Sequence, residues 1–317
     1  MITEELLDLL PQLAKEDSPV PVEDFSAFSD MNREDLSAFL EVWEALSASR
    51  KRELIEELGR QADENIEFNF ELINRASLRD HDQDVRRIAI SNLWECKDPD
   101  LVAVYLESLQ KDPSGDVRVA AADALGRYVL MGELDEISSE LHQDIEDTLL
   151  KILENDAVNL LNQSCIEALG YSSRKESERV IQQAYESDAP EIKKSAIVAM
   201  GRSYNQRWEP QVLAEITSPY PFIRAEAARA AGELELATAI EPLIDLLDDV
   251  HNDVQKAAVW SLGQIGGERA EEALIALQDM TDEEHLLKVI DDALDHLAFM
   301  KGSPDFALLD YEGPDVE

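Results

Sequence analysis

The chain has 317 residues, 44% of them hydrophobic and 31% charged, and its 69 acidic against 28 basic side chains give a formal net charge of −41. That hydrophobic content excludes a wholly disordered chain, and a field of this sign repels nucleic acid and anionic membrane surfaces, so neither is expected as a partner. No apolar run approaches the ~20 residues that span a bilayer, and the dominance of Ala and Leu, with only 12 Gly and 12 Pro, favours helices over a turn-dense β protein.

In chain order, the acidic start "MITEELLDLLPQL" lacks the positive segment and cleavage site of a secretory signal, so a cytoplasmic location is expected. "KEDSPVPVEDF" from Lys15 reads as an extended linker because of its two prolines. Met31 to Asn65, followed by "FNFELINRASLRD", predicts two or three helices. Residues 1–75, with 7 basic and 19 acidic side chains, are read as a helical N-terminal cap.

From residue 76 to about 300 the chain repeats. "DVRRIAISNLW" from Asp84 is followed by "DVRVAAADALG" from Asp116 and "LLNQSCIEALG" from Leu160. "EIKKSAIVAMG" from Glu191, "FIRAEAARAAG" from Phe222, "DVQKAAVWSLG" from Asp253 and "HLLKVIDDALD" from His285 complete seven copies. The copies end at 94, 126, 170, 201, 232, 263 and 295, spacings of 32, 44, 31, 31, 31 and 32. A period near 31 marks a stack of helix pairs rather than separate globular domains. The column Ala89, Ala121, Cys165, Ala196, Ala227, Ala258, Ile290 is mostly small, as is Asn92, Ala124, Ala168, Ala199, Ala230, Ser261, Ala293. Their offset of three places them on one helical face, where missing bulk admits a neighbouring helix. Cys165 is thereby read as packing, and both cysteines as reduced thiols.

Ahead of the copies run amphipathic segments such as "DLVAVYLESLQKD" from Asp100 and "AEEALIALQDM" from Ala270, so each unit is expected to be two helices. The glycine closing five copies is expected to cap the helix. The pairs Asp84/Arg86 and Asp116/Arg118 are expected to form ion-pair ladders between repeats. The long spacing carries extra residues near 128–140, expected as a lengthened helix or a protruding loop.

"DVRVAAADALG" and its copies resemble the short HEAT-like repeats named after phycobilisome lyases. The resemblance implies an all-α fold, a right-handed α-solenoid of HEAT-like helix pairs. That family includes scaffolds, bilin lyase subunits and metal-dependent hydroxylases, and fold alone does not choose among them. The hydroxylases hold two irons with His-Glu dipeptides. None of the five histidines here precedes a glutamate, and no HExxH, P-loop, GxGxxG or GxSxG element occurs. His285 and His296, eleven apart, are the sole metal hint, read as solvated. No catalytic residue, metal ligand or cofactor is therefore assigned.

The second helix of each pair is expected to line a concave side. Three columns that packing does not use hold seven basic and five acidic residues, in a chain of −41. Lys194, Arg202, Arg229 and Lys256 fall in consecutive repeats, with Trp260 and Tyr171 breaking polar columns; these six are the candidate partner-binding residues. The expected function is a non-catalytic scaffold or adaptor for a protein or peptide, with a lyase-like or hydroxylase-like subunit as the alternative. Residues 301–317 read as an acidic flexible tail, one that could also dock in the groove.

Overall fold

The computed structural model describes residues 2–15, 22–154 and 159–302, and the expected linker core and most of the tail lie outside them. It divides into two compact units, 1–148 and 149–317. The first contains α1 (Glu4–Leu13), a 3₁₀ segment (Val22–Phe28), α2 (Arg33–Ala45), α3 (Ala48–Glu64), α4 (Glu71–Ser77), α5 (Gln83–Asn92), α6 (Asp100–Lys111), α7 (Gly115–Glu133) and most of α8 (Ser139–Ile152). The second contains α9 (Leu160–Ala168), extended by a 3₁₀ turn to Tyr171, then α10 (Lys175–Tyr185), α11 (Pro190–Arg202), α12 (Glu209–Glu215), α13 (Pro221–Glu233), α14 (Ile240–Asp245), α15 (Asn252–Ile265), α16 (Glu268–Met280) and α17 (Glu284–Gly302). No strand occurs among the described residues. The fold is an all-α solenoid of helix pairs.

Local chemistry sets the helix starts. Asn32 accepts hydrogen bonds from the amides of Glu34 and Asp35 at 2.8 and 3.0 Å, and Asp82 accepts from Asp84 and Val85 at 3.0 and 3.2 Å. Pro190 and Pro221 open α11 and α13, where a missing N–H leaves no intrahelical bond unmade.

Within each unit, second helices pack on second helices: α3 on α5 and α5 on α7, then α9, α11, α13, α15 and α17 in succession. The small columns lie at these contacts, with Ala89, Ala121, Cys165, Ala196, Ala227 and Ala258 all fully buried. Of the closing glycines, Gly170, Gly201, Gly232 and Gly263 belong to the same contact, which corrects the capping expectation. Gly201, Gly232 and Gly263 stand inside their helices, and none of the five has a positive φ. A Cβ on Gly170 would lie 2.7 Å from Ala199 Cα, and one on Gly232 would lie 2.9 Å from Ser261 Cα. Glycine is there because the next helix is too close for a side chain.

The helices end three residues later. Tyr204, Glu235 and Gly266 lie three residues beyond Gly201, Gly232 and Gly263 and have φ of 49°, 50° and 73°. At Glu235 the amide donates to Gly232 O and that of Leu236 to Ala231 O, both at 3.0 Å, closing the helix through a left-handed residue. The long spacing is met by a lengthened helix: α7 runs on to Glu133 and stops at Asp135, φ 57°.

The inter-repeat ladder exists with different partners from those expected. Arg86 reaches from α5 to Asp112, ahead of α7, through two bonds of 2.8 Å, and Arg224 reaches Asp249 at 2.7 and 3.0 Å. Lys51–Asp80 at 2.8 Å and Lys193–Glu215 at 3.4 Å are equivalent rungs. The motif aspartate Asp84 only approaches Arg52, at 3.7 Å. Asp80, Asp112 and Asp249 each also accept the amide two residues on, at 2.9 Å, so one carboxylate both fixes the turn and anchors the rung.

The Lys51 rung shows that α3 is itself a second helix. "SRKRELIEELG", ending at Gly59, is a divergent copy of the motif, with Lys51 at the rung position and Gly59 against Asn92 of α5. Around it, Phe25, Phe28, Phe39, Trp43 and Phe70 form an aromatic layer, with Phe25–Phe28 and Phe28–Phe39 meeting edge to face at 5.6 Å. Trp43 donates to Asp80 Oδ2 at 3.0 Å, joining that layer to the ladder.

Candidate functional site

Residues on the second helices that do not pack on neighbours line two hollows in the first unit, each of about 390 Å³. One lies between α5 and α7, bounded by Arg87, Ser91 and Trp94 on one side and Val119, Asp123 and Arg127 on the other. The other lies between α3 and α5, bounded by Gly59, Arg60, Asp63, Asn92 and again Trp94. Asn92 Nδ2 donates to Ile55 O at 2.8 Å and to Asn74 Oδ1 at 3.0 Å, which fixes the floor of the second hollow.

Trp94 is the shared wall. Its amide bonds to Ser91 O at 3.2 Å as α5 ends, and its side chain is 58% exposed. A rigid aromatic surface left in water between two hollows is a feature of recognition sites. Arg87 has no carboxylate partner among the described residues, whereas Arg127 leans on Cys96 O at 3.5 Å. Arg87, Ser91, Val119, Asp123 and Arg127, which line the hollow between α5 and α7, belong to the three columns that packing was expected to leave open. Trp94 was missed, although it stands where five other copies have glycine, and that departure was the available signal.

In the second unit three of the six candidates are already engaged. Lys194 lies 3.4 Å from Glu167, whose carboxylate also accepts from Ser195 Oγ at 2.7 Å. Arg202 donates to Glu167 O at 3.0 Å and its guanidinium sits 5.5 Å over the Tyr171 ring. Arg229 pairs with Glu226 at 2.9 Å on its own helix. Burial raises the Tyr171 phenol above its ordinary pKa, against the opposing charge of Arg202. Burial likewise raises the Glu233 carboxyl, Arg202 opposing and Glu226 reinforcing. Lys256 has no carboxylate partner among the described residues. Trp260 is 38% exposed, and its ring edge occupies the space that a Cβ on Gly232 would need.

His285 faces Asn252 and Glu283, at 3.3 and 3.2 Å, and among the described residues no further ligands converge on it.

A family model described as HEAT repeats matches residues 71–138 and 209–298. The chain is a HEAT-repeat protein. Yeast importin-β aligns with this HEAT-repeat chain at 12% identity and a TM-score of 0.53, covering 96% of this chain and 47% of its own. The CpcE–CpcF complex of phycocyanin lyase from Nostoc aligns at 18% identity and 0.45, covering 72% and 94%. Human deoxyhypusine hydroxylase aligns at 16% and 0.39, covering 93% and 96%. These likenesses concern the fold alone. No curated protein matches the sequence. Among the described residues, no helix is long and apolar enough to cross a membrane.

Proposed function

We propose that this HEAT-repeat protein is a non-catalytic scaffold that holds a segment of a protein partner along the exposed face of its second helices. The observation that carries this reading is Trp94, open to solvent between two hollows and beside Arg87, a cation with no carboxylate partner among the described residues. Lys256 and Trp260 offer a similar cation and aromatic pair in the second unit. Apolar side chains of the partner would lie on the indole faces, and carbonyl or carboxylate groups would meet the cations. Lys194, Arg202 and Arg229 would act chiefly by shaping the face between them, since their polar groups are engaged within the chain, and the Tyr171 ring would do so from beneath Arg202.

The test is affinity capture from a native lysate with the wild type and with Trp94→Ala and Trp260→Ala variants, each checked for unchanged helical circular dichroism. A protein retained by the wild type and lost by either folded variant supports the reading. Equal retention by all three chains overturns it.

A further inference from the structure

We propose that Glu133, His142 and Glu146 form a binding site for one divalent transition-metal ion of the zinc class, built on the extra turns of α7. This goes beyond the scaffold reading and does not depend on it.

The three residues come from the long spacing of the repeat. Glu133 is the last residue of the extended α7, and His142 and Glu146 are four apart on α8, hence on one face. Their ligand atoms all lie within 4.8 Å of one another. His142 Nε2 is buried, has no hydrogen-bond partner, and stands 3.8 Å from Glu133 Oε1 and 3.5 Å from Glu146 Oε1. These separations exceed the ~2.7–3.2 Å over which a proton bridges nitrogen and oxygen. They approach the spacing of about 3.3–3.5 Å between donors that each sit ~2.0–2.2 Å from a tetrahedral zinc. A cation placed among the three would satisfy a nitrogen that the protein leaves unsatisfied.

A second observation is independent of these distances. Gly132, next to Glu133, is covered by the imidazole: a Cβ there would overlap Cγ, Cδ2 and Nδ1 of His142. The ring lies flat on bare backbone, which sets its rotation and aims Nε2 at the two carboxylates. One imidazole and two carboxylates suit zinc, cobalt, manganese or ferrous iron. Two carboxylates would also neutralise a dication at a site where Glu146 is 3% exposed. Three protein ligands leave a coordination position for water or for a group brought by a partner. A search for His-Glu dipeptides passes over this site because its His and Glu are related through a helical turn.

The experiment uses the full chain, stripped with a chelator and titrated with Co²⁺ alone, then with Zn²⁺ as competitor. The expected result is one Co²⁺ per chain with the strong visible bands of a low-symmetry site, displaced by Zn²⁺. Glu133→Gln, His142→Gln and Gly132→Ala should each weaken binding at least tenfold while helical circular dichroism is retained. Glu133→Gln, at a partly exposed helix end, keeps the test open if His142→Gln unfolds. Uptake without 1:1 saturation, abolished by moderate salt, would mean that the acidic surface merely collects cations and would overturn the site. Unchanged affinity in the folded variants would do the same.

Discussion

Arg86 holds Asp112, 26 residues away, through two hydrogen bonds of 2.8 Å, and donates its remaining nitrogen to Asp80 O at 2.9 Å. Both side chains are largely buried, and the carboxylate also caps the turn into α7 through the Ser114 amide. Burial alone would raise the Asp112 carboxyl, but the bonds from Arg86 and Ser114 outweigh it and hold the carboxyl below its ordinary value. Asp80 and Asp249 are held down in the same way by Lys51 and Arg224.

Arg86→Met should therefore destabilise the chain by about 2 kcal/mol, the range for losing hydrogen bonds to a charged group. The pH dependence is set by the direction of the shift. These aspartates bind protons more weakly folded than unfolded, so their contribution is complete above about pH 4 and is lost as pH falls through the lowered folded values. Denaturant unfolding from pH 7 down to pH 3 checks both points, and Arg86→Met should flatten the acid limb.

Glu233 predicts the opposite slope. Burial raises its folded carboxyl pKa, so the folded state binds the proton more tightly, and stability falls as pH rises from the unfolded to the folded value. Glu233→Gln should be neutral to stabilising at pH 7 and without advantage at pH 4. Paired denaturation curves at the two pH values decide it.

Two glycine substitutions should have opposite signs. Gly232→Ala places a Cβ 2.9 Å from the Ser261 backbone and side chain and from the Trp260 ring, and is expected to cost about 1–3 kcal/mol. Gly115→Ala, in the first turn of α7, meets nothing within 4 Å and needs no unusual φ. It should stabilise by about 0.4–1 kcal/mol through the unfolded chain. Thermal unfolding of the two variants beside the wild type is sufficient.

Glu235 is exposed and left-handed, at a position that glycine fills three residues beyond Gly263. Glu235→Gly should raise stability by about 0.5–1 kcal/mol, relieving the left-handed penalty by somewhat more than the added unfolded-state entropy removes. A lower midpoint in denaturant would contradict this account of how α13 ends.

The period and the pairing of helices were legible because small residues recur wherever second helices touch. The helix ends were not, since Tyr204 and Glu235 carry no mark of a left-handed residue and the nearby glycine has another cause. The ladder was half legible: Arg86 lies inside the motif, but Asp112 lies in the preceding turn, beyond the repeated stretch. The copy in α3 was hidden because Leu54 and Glu57 replace its small residues and Arg50 stands where other copies have an aliphatic side chain. On the candidate face, the sequence pointed to columns of which Arg87, Ser91, Val119, Asp123 and Arg127 line one hollow. It could not tell which cations were spent on Glu167 or Glu226 and which, like Arg87 and Lys256, were left available.

Each rung of the ladder closes over a short length of chain, 29 residues at Lys51–Asp80, 26 at Arg86–Asp112, 22 at Lys193–Glu215 and 25 at Arg224–Asp249. Such low contact order lets a helix pair settle as soon as the next one has been synthesised, without waiting for a distant terminus. It also limits which units are interchangeable: duplicating a period with lysine or arginine at the rung position would supply a further joint, whereas the copies with Asn162, Gln255 and Leu287 there would extend the stack without one.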